Sequence, residues 1–479
     1  MNVTLKPGEK WFEQFIVPSK ETNDGNTPTE YHQSAPCPPI PAEFESAMAY
    51  LRHLTQEGIS QRFGASPSMA ATERMNRELA LIEQKGWQNY FLFIWDLVKS
   101  AEETLHSCFV HVAYEAPSCL VNYPLHITEV NPLDYNLPEN IFMRETMRLF
   151  PYIVLQIDSA NYPDFIDLMK QKYGRKIAQT ASFSESHTHP YTHREYPAHM
   201  GGPTFVWAIA DRDLDSIMPM TECKTGTKES FSCPIYDFSL ISQHGAARQN
   251  IQPASRIDYT TQTLAELGIF YTDKKKFLNT IPLNDADTLR SIQSFNEQDV
   301  REVFGGWRPD QGLLAHFPMD TFQDLVVYRA CNCYGCEIHG PEYIRRKQEG
   351  FSPSYIIPEM ASVLNETYGI LLYHEQRMQL ANLISSMEWS KADAMNNPKG
   401  IVKHYKHYKY YYALFMEGGL KNGYSHQQLE ELFNMLRNNY TSPKSHDVSL
   451  ALAYYWAAYL KLHYPTEWQR AVQSAQDKH

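Results

Sequence analysis

The sequence predicts an α+β protein in which a mixed layer of strands and helices is followed by a mostly helical domain. Apolar residues recur at helical spacing across residues 43–107, which is typical of amphipathic helices. Short runs rich in β-branched and aromatic residues, such as Phe109–Ala113 and Tyr152–Ile157, indicate strands. From Met319 to the end of the chain the pattern is again mostly helical.

Composition indicates a folded protein and argues against a disordered chain or a basic protein that coats nucleic acid. The 479 residues are 43% hydrophobic and 13% aromatic, which is ample for a packed interior and unlike a disordered chain. There are 43 basic and 55 acidic residues, which gives a formal net charge of −12. A protein that coats nucleic acid usually has a basic excess, so any DNA-binding surface must be local.

Targeting and redox signals point to the cytoplasm. The longest uninterrupted apolar run, Leu450–Leu460, is too short to cross a bilayer, and the N-terminus lacks a signal-peptide pattern. Eight cysteines in a long chain without such a signal favour free thiols or metal ligands over a disulfide framework. We therefore expect a cytoplasmic protein without a membrane partner.

The segments on either side of the mixed layer are predicted to be a polar tail and two helical regions. Residues 1–42 are polar and interrupted by prolines, as expected of a tail or strap. Residues 43–107 form a helical region that leads into the mixed layer, with a break at Gly86. Residues 319–479 form the helical domain.

The mixed layer covers residues 108–318. Prolines separate its predicted strands, which are expected at residues 109–113, 120–123, 152–157 and 204–209. Phe165 to Tyr173 have the spacing of a short amphipathic helix that stops at Gly174.

Several motifs occur in one consistent order along the chain. They are Glu83–Asp96 with its Gly, aromatic pair and Trp-Asp, Cys119–Tyr123, His199-Met200-Gly201-Gly202, Tyr343–Lys347, Tyr368-Gly369-Ile370, Tyr373–Gln376 and Lys444-Ser445-His446. In this order they resemble the C-family bacterial replicases, the DNA polymerase III alpha subunits. The resemblance runs from about Pro39 to Val472.

The resemblance implies a role in DNA replication or repair and a nucleotidyltransferase-like palm followed by helical fingers. Residues 108–318 would be the palm, with its thumb insertion reduced to a segment near residues 185–198, and residues 319–479 would be the fingers. The chain has no room for the family's N-terminal PHP domain or its clamp-binding and OB-fold modules. We expect an incomplete replicase with a weakened grip on duplex DNA.

Polymerases of this family need carboxylates that hold two divalent ions. Alternate residues of a strand face the same side, so a Pro-Asp-x-Asp-x-Asp strand presents its acids together. The matching positions here are Tyr152, Val154 and Gln156, which supply no ionised oxygen at neutral pH. The ordinary two-metal site therefore cannot form on this strand.

Two acidic residues offer an alternative catalytic pair. The resemblance places Asp258 on a neighbouring palm strand, where the family has a further acid. Asp158 shares the strand face of Gln156 if that strand continues. A rearranged magnesium site with Asp158 and Asp258 would keep the chain an active polymerase, whereas the alternative for Asp158 is a solvated acid at a strand end.

Contacts to a nucleoside triphosphate are also altered, which makes dNTP a doubtful ligand. The family's Gly-Arg-Gly-Ser phosphate loop corresponds to Val112–Glu115, where Glu115 would repel phosphate. A paired arginine of the fingers becomes Asn396-Asn397, and amides cannot replace its charge, although Lys399 and Lys403 remain nearby.

Basic residues of the helical domain are the candidates for nucleic-acid or nucleotide binding. In the run 403–412, Lys403, Lys406 and Lys409 alternate with tyrosines and histidines, as a stacking groove would require. A helix with one solvated and one buried face explains this run equally well. Arg345, Arg346 and Lys347 belong to a motif that resembles the fingers. His446 is expected to be a packed histidine rather than a ligand contact.

Two further groups of residues have side chains that can bind a metal ion. Cys331, Cys333, Cys336 and His339 have a spacing that can close around zinc, but a second Cys-x-x-Cys pair is missing, so thiols packed in a turn are the competing interpretation. His187, His189, His193 and His199 fall within thirteen residues, where a polar loop competes with a transition-metal site.

The leading hypothesis is a degenerate polymerase homologue that binds DNA or a replication or repair protein without standard dNTP polymerisation. The alternative is an active DNA-directed DNA polymerase that uses magnesium at relocated carboxylates. A third hypothesis is a structural protein that is stabilised by zinc at Cys331, Cys333, Cys336 and His339.

Overall fold

The computed structural model confirms the α+β class. It describes residues 33–64, 67–184, 187–188, 195–196, 199–224, 230–234, 241–305, 309–395 and 405–476. Helices come first and a mixed layer follows, as predicted, but the last strand ends at Pro253 and the described chain is helical from Asp258 onward, not from Met319.

Three helices lead into the sheet, as the apolar spacing predicted. They are α1 (Ala47–Phe63), α2 (Met69–Lys85) and α3 (Gln88–Thr104). The side chains of Ser46 and Ser68 accept backbone N–H groups at the starts of α1 and α2. Gly86 ends α2 in the left-handed conformation, which explains the predicted break.

The strands that the structure describes number nine and form one five-stranded sheet and two two-stranded sheets. They are β1 (Val110–Ala113), β2 (Val154–Ile157), β3 (Ile177–Ser184), β4 (His187–Thr188), β5 (Glu195–Tyr196), β6 (His199–Ile209), β7 (Met220–Lys224), β8 (Ser230–Pro234) and β9 (Ala247–Pro253). The sheet has the order β1-β2-β9-β6-β3, in which β2 and β9 are parallel and the other neighbours are antiparallel.

One face of the sheet is apolar. Side chains such as Val112, Leu155 and Ile251 belong to the same buried cluster as the inner faces of α1, α2 and α3. The helix α4 (Tyr162–Tyr173), which ends at Gly174 as predicted, contributes Phe165 and other residues to this cluster. On the opposite face, β1, β2 and β9 carry polar residues such as His111, Gln156 and Gln252, and we call this part the polar face, whereas Ala178 of β3 and Ala208 of β6 lie in a second apolar cluster.

The predicted strand at residues 120–123 is wrong. This segment forms a succession of turns, in which Asn122 is fully buried and its side-chain amide donates to the carbonyl of Ala116. The apolar run is buried because it packs as a compact turn, and burial alone does not distinguish a strand from a packed loop.

The segment that corresponds to the expected thumb lies between β3 and β6. Its described part is the pairing of β4 with β5, two residues each, with His187 opposite Tyr196. His199 begins β6 and pairs with Ser184, whereas His189 and His193 lie outside the described residues.

Fourteen described helices follow the sheet. They are α5 (Asp258–Glu266), α6 (Asp273–Leu278), α7 (Ala286–Gln293), α8 (Glu297–Phe304), α9 (Gln311–His316), α10 (Phe322–Cys331), α11 (His339–Gln348), α12 (Ala361–Leu364), α13 (His374–Ser385), α14 (Trp389–Ala394), α15 (Tyr405–Lys421), α16 (His426–Asn438), α17 (Lys444–His463) and α18 (Pro465–Gln476). No helix in these described ranges is both long and apolar enough to cross a membrane.

The helix α17 joins the sheet to the helical half. Fifteen of its 20 residues are buried, including the run Leu450–Leu460 except Tyr459, so the predicted core helix is confirmed. Both oxygens of the buried Glu375 carboxylate accept from the first turn of α17, at 2.8 Å from Lys444 N and 2.9 Å from Ser445 N. An acidic side chain at a helix N-terminus satisfies otherwise unpaired N–H groups.

Residues 33–42 lie against the sheet domain. Ser34 forms a bridge with Ala246, and the side-chain oxygen of Gln33 accepts from Phe150 N at 2.7 Å. Ala35 is buried in the core cluster of α1–α4.

Gly58 provides a test of the contact between α1 and the turns of residues 120–126. A Cβ atom at Gly58 would lie 1.9 Å from the carbonyl oxygen of Pro124, so Gly58→Ala is expected to lower the free energy of unfolding by about 1–3 kcal/mol. The measurement is urea unfolding followed by circular dichroism.

Gly312→Ala is the matched control, because Gly312 is also helical and a Cβ there meets only the flexible Asp310 carboxylate at 3.2 Å. This variant should be neutral or stabilised by up to about 1 kcal/mol through helix propensity. Equal effects of the two substitutions would contradict the close packing at Gly58.

Candidate functional site: the polar face of the sheet

The polar face of the sheet is built from rows of residues in register. His111 of β1, Gln156 of β2 and Gln252 of β9 form one row, and Ala113, Val154 and Asn250 form the next. Residues paired in register point to the same side of a sheet. β1, β2 and β9 therefore present no carboxylate on this face.

The helix α17 covers the first row. The Ser449 hydroxyl donates to the carbonyl of Val112 at 2.6 Å and lies 3.0 Å from Nε2 of His111. Since its proton is used by Val112, the hydroxyl accepts from the imidazole. Burial, followed by the charge of Arg256, lowers the pKa of His111 to about 3, so the imidazole is neutral at physiological pH.

A second imidazole closes the loop that follows β1. His446 Nδ1 accepts from Tyr114 N at 3.1 Å, and the two rings stack with centroids 4.5 Å apart. Burial and nearby positive charges hold the pKa of His446 well below its ordinary value, which keeps Nδ1 available as an acceptor. Tyr114 has a φ of 65°, in the left-handed region. The backbone donor of this loop is thus occupied by the protein itself, and His446 is packed as predicted.

Glu115 is the acidic residue of the same loop. It retains contact with solvent, but the surrounding protein raises the pKa of its carboxyl to about 7, with the charges of Asp393 and Glu375 acting in the same direction. Glu115 is therefore partly protonated near neutral pH.

Arg256 places a positive charge beside the sheet. Its Nη1 lies 3.4 Å from the side-chain oxygen of Gln156, and within the described ranges it forms no ion pair with a carboxylate. Gly305, with a φ of 66°, allows this close packing, because a Cβ there would lie 2.8 Å from Arg256 Cα. A fixed cation thus lies beside a position where the resemblance predicted a metal-binding acid.

The expectation that Asp258 lies on a palm strand is wrong. β9 ends at Pro253, a single helical turn follows, and Asp258 begins α5. Proline has no N–H to continue the sheet, so the chain leaves it before Asp258. The residue in register with Gln156 is Gln252.

Asp158 and Asp258 are neighbours with structural contacts. Asp158 follows the end of β2 and accepts from Phe109 N at 3.0 Å and from the Asn161 side chain at 2.7 Å. Asp258 accepts from Ser159 N at 2.6 Å. Burial, with the charge of Asp258 adding to it, raises the pKa of Asp158 to about 6.

The candidate metal ligands do not assemble. Among the residues that the structure describes, no group of three or more His, Cys, Asp or Glu side chains could hold a metal ion. The sheet row offers a protonated imidazole nitrogen and two amides, which do not fit a magnesium ion that is held chiefly by carboxylates. No catalytic step through a metal follows from these residues.

The predicted zinc site is also wrong for the described residues. Cys331 ends α10 inside the helical core, the Cys333 thiol contacts Arg329 and Ser442, and His339 Nε2 lies 3.3 Å from the carbonyl of Tyr440. Cys336 is buried as well. These side chains pack with separate partners, as in the competing interpretation of thiols in a packed turn.

The predicted nucleic-acid residues of α11 are engaged within the protein. Arg345 pairs with Glu342 and Glu349, Arg346 pairs with Glu342, and Lys347 pairs with Asp320 and Asp324. The pairs of Arg345 and Arg346 are local i,i+3 and i,i+4 pairs that helical spacing could have revealed, whereas the partners of Lys347 are more than twenty residues away along the chain.

The lysines of the run 403–412 are described only in part. Lys399 and Lys403 lie outside the described residues, and nothing is described of the side chain of Lys406, which belongs to α15. Lys409 is exposed on α15.

Comparison with known families agrees with the order of these two halves. Residues 49–210 match the bacterial DNA polymerase III alpha NTPase domain, and residues 258–423 match the bacterial DNA polymerase III alpha subunit finger domain. The chain is therefore a C-family polymerase alpha-like protein.

Individual polymerases are similar to this chain over most of its length. The DNA polymerase III subunit alpha of Halalkalibacterium halodurans is 25% identical over 90% of this chain and 43% of its own length. That of Borreliella burgdorferi is 26% identical over 89% and 42%. The error-prone DNA polymerase of Pseudomonas fluorescens is 23% identical over 90% and 47%. The chain thus spans less than half the length of these relatives.

The neutral His111 gives a pH-dependent prediction. An unfolded histidine binds a proton below about pH 6.5, whereas folded His111 does so only near pH 3, so acid favours the unfolded chain across this window. His111→Gln should make the free energy of unfolding less dependent on pH by about 1.4 kcal/mol per pH unit between pH 6 and pH 5. Urea unfolding at several pH values measures this difference.

The control is His426→Gln, because His426 is exposed at the start of α16. It should leave the pH dependence as in the unmodified chain. If His111→Gln also leaves it unchanged, the neutral state of His111 is contradicted.

Proposed function

We propose that this chain is a C-family polymerase homologue of the replication and repair lineage that no longer adds nucleotides to a primer. It acts in the cytoplasm by binding DNA or a replication or repair protein. On this proposal residues 108–318 are a nucleotidyltransferase-like palm with a shortened thumb near residues 185–198, and residues 319–479 are fingers.

One observation carries the proposal: the row His111, Gln156 and Gln252 contains no carboxylate. Templated polymerisation by the family needs acids that hold two divalent ions beside the primer end. The absence of acids on the central strands removes these ligands from both β2 and β9, not only from β2 as the sequence pattern indicated.

The loop after β1 supports the same conclusion independently. A phosphate that approached the loop as in the family would need the N–H of Tyr114, but His446 already accepts it. Glu115 adds negative charge to the same loop whenever it is ionised. A triphosphate would have to displace a stacked imidazole and lie beside a carboxylate.

The preserved scaffold supports a binding role. Two polar contacts join α17 to β1, and Lys444 Nζ donates to the carbonyl of Tyr135 at 2.6 Å, so the helix stays fixed on the sheet domain without the metal site. A scaffold that stays folded without metal ligands can still bind DNA or a protein, because such binding needs surfaces held in fixed positions but no catalytic metal.

The second candidate is an active DNA-directed DNA polymerase with relocated magnesium ligands. The observation that favours it is the proximity of Asp158 and Asp258, since Asp258 accepts from the backbone of Ser159, the residue after Asp158. This candidate requires magnesium-dependent dNTP binding that Asp258→Ala abolishes.

Primer extension decides between the two. The purified chain, a labelled primer on a DNA template and all four dNTPs are incubated with magnesium or manganese, and products are separated by length. We expect no template-directed extension with either ion. Robust incorporation that disappears in Asp258→Ala would defeat the proposal and establish the second candidate.

A further inference from the structure

Two exposed tyrosines lie together at one end of the polar face. Tyr114 follows β1 and Tyr152 precedes β2, and because these strands are antiparallel, both residues lie at the same end. Their side chains are 40% and 46% exposed, and the ring centroids are 6.4 Å apart. We call Tyr114, Tyr152, Arg248 and Asn250 the tyrosine surface.

The rings are held in place from behind. Tyr114 stacks on the imidazole of His446, and the hydroxyl of Tyr152 accepts from the Asn250 side-chain amide at 3.0 Å. Side chains that are already ordered lose little conformational entropy when a ligand contacts them. Exposed aromatic rings held in this way are suited to stacking.

Arg248 supplies a positive charge to the same surface. It lies on β9 two residues before Asn250, so it projects from the polar face, and it is exposed. Within the described parts of the chain it forms no ion pair with a carboxylate, unlike Arg345, Arg346 and Lys347 of α11. Its charge reaches Tyr152, where it opposes the rise in the phenol pKa that burial causes.

Glu115 is the opposing charge, since it is next to Tyr114 in the chain. Its carboxylate would weaken the attraction of phosphate to Arg248 when ionised. Arg256 lies on the inner side, near Gln156, as a second cation without a carboxylate partner in the described ranges.

We propose that the tyrosine surface binds single-stranded DNA without a divalent ion. Unpaired bases stack on Tyr114 and Tyr152, and a backbone phosphate contacts Arg248. Base stacking on aromatic side chains beside a cation is a general mode of single-strand recognition that tolerates any sequence. The inference rests on the proposed function, because it names the ligand of the same cleft.

Single-stranded DNA fits this surface better than duplex DNA or a protein. Bases inside a duplex expose no ring face to a tyrosine, whereas an unpaired strand offers both a base face and a phosphate within one nucleotide. The guanidinium of Arg248, which has no carboxylate partner among the residues that the structure describes, matches the phosphate. The uncharged row His111, Gln156 and Gln252 gives no reason for a metal ion to take part.

The test is fluorescence anisotropy of a labelled twelve-nucleotide oligothymidine with the full chain, in EDTA and in magnesium. We expect equal binding in both solutions. Tyr152→Ala should weaken binding about fivefold or more, in line with the loss of one stacked base, and Tyr152→Phe should bind nearly as the unmodified chain does. Arg248→Gln should reduce the slope of log affinity against log salt by about 0.7.

Two controls separate stacking from general effects. Tyr334→Ala removes an 83% exposed tyrosine away from this surface and should leave binding unchanged. An abasic oligonucleotide of the same length keeps the phosphates but has no bases, so it should bind more weakly and show no response to Tyr152→Ala. Thermal unfolding of each variant checks that the fold is intact.

Several outcomes would overturn the inference: binding only with magnesium, no binding of the oligothymidine, equal effects of Tyr152→Ala and Tyr334→Ala, or undiminished binding of the abasic strand. Binding only of a partner protein through Tyr152 would overturn it as well. Primer extension remains a separate result, so an active polymerase that binds oligothymidine through Tyr152 would defeat only the proposed function.

Discussion

The docking of α17 on β1 is the contact on which the arrangement of the two halves depends. It combines apolar burial with the contacts of Ser449 to the carbonyl of Val112 and to His111, and of His446 to Tyr114 N, while Glu375 of α13 caps the first turn of α17. Apolar packing alone tolerates sliding, whereas a buried donor or acceptor that loses its partner costs about 1–3 kcal/mol. The polar contacts therefore fix the register of α17 on the sheet. They also determine which residues of the polar face the helix covers.

Most of the fold could be predicted from local signals. The helices α1–α3 and α4 follow from apolar spacing and from glycine stops, and the long apolar run near the end of the chain forms α17. The segment 120–123 was mispredicted because its burial serves a turn that the side chain of Asn122 stabilises through Ala116. A side-chain contact across six residues leaves no periodic signature.

Only those residues of the site that belong to one strand, β2, could be predicted from the sequence. The replacements at Tyr152, Val154 and Gln156 could be recognised from a single motif. The partners Gln252 and His111 could not, because strand register joins residues that are far apart in sequence. The same limitation explains the pairing of Lys347 with the distant Asp320 and Asp324, whereas the partners of Arg345 and Arg346 lie on the same helix and could have been recognised from spacing. Charge in a sequence does not show which charges remain unpaired.

On the proposed function, the contact between His446 and Tyr114 bears on what would be needed to give this chain polymerase chemistry. Acids reintroduced on β2 would restore ligands, but the imidazole would still occupy the backbone donor beside them. Removing the imidazole would free that donor at the surface but would supply no metal ligand. On the proposed function, neither change alone restores both metal and phosphate binding, so the two would have to be made together.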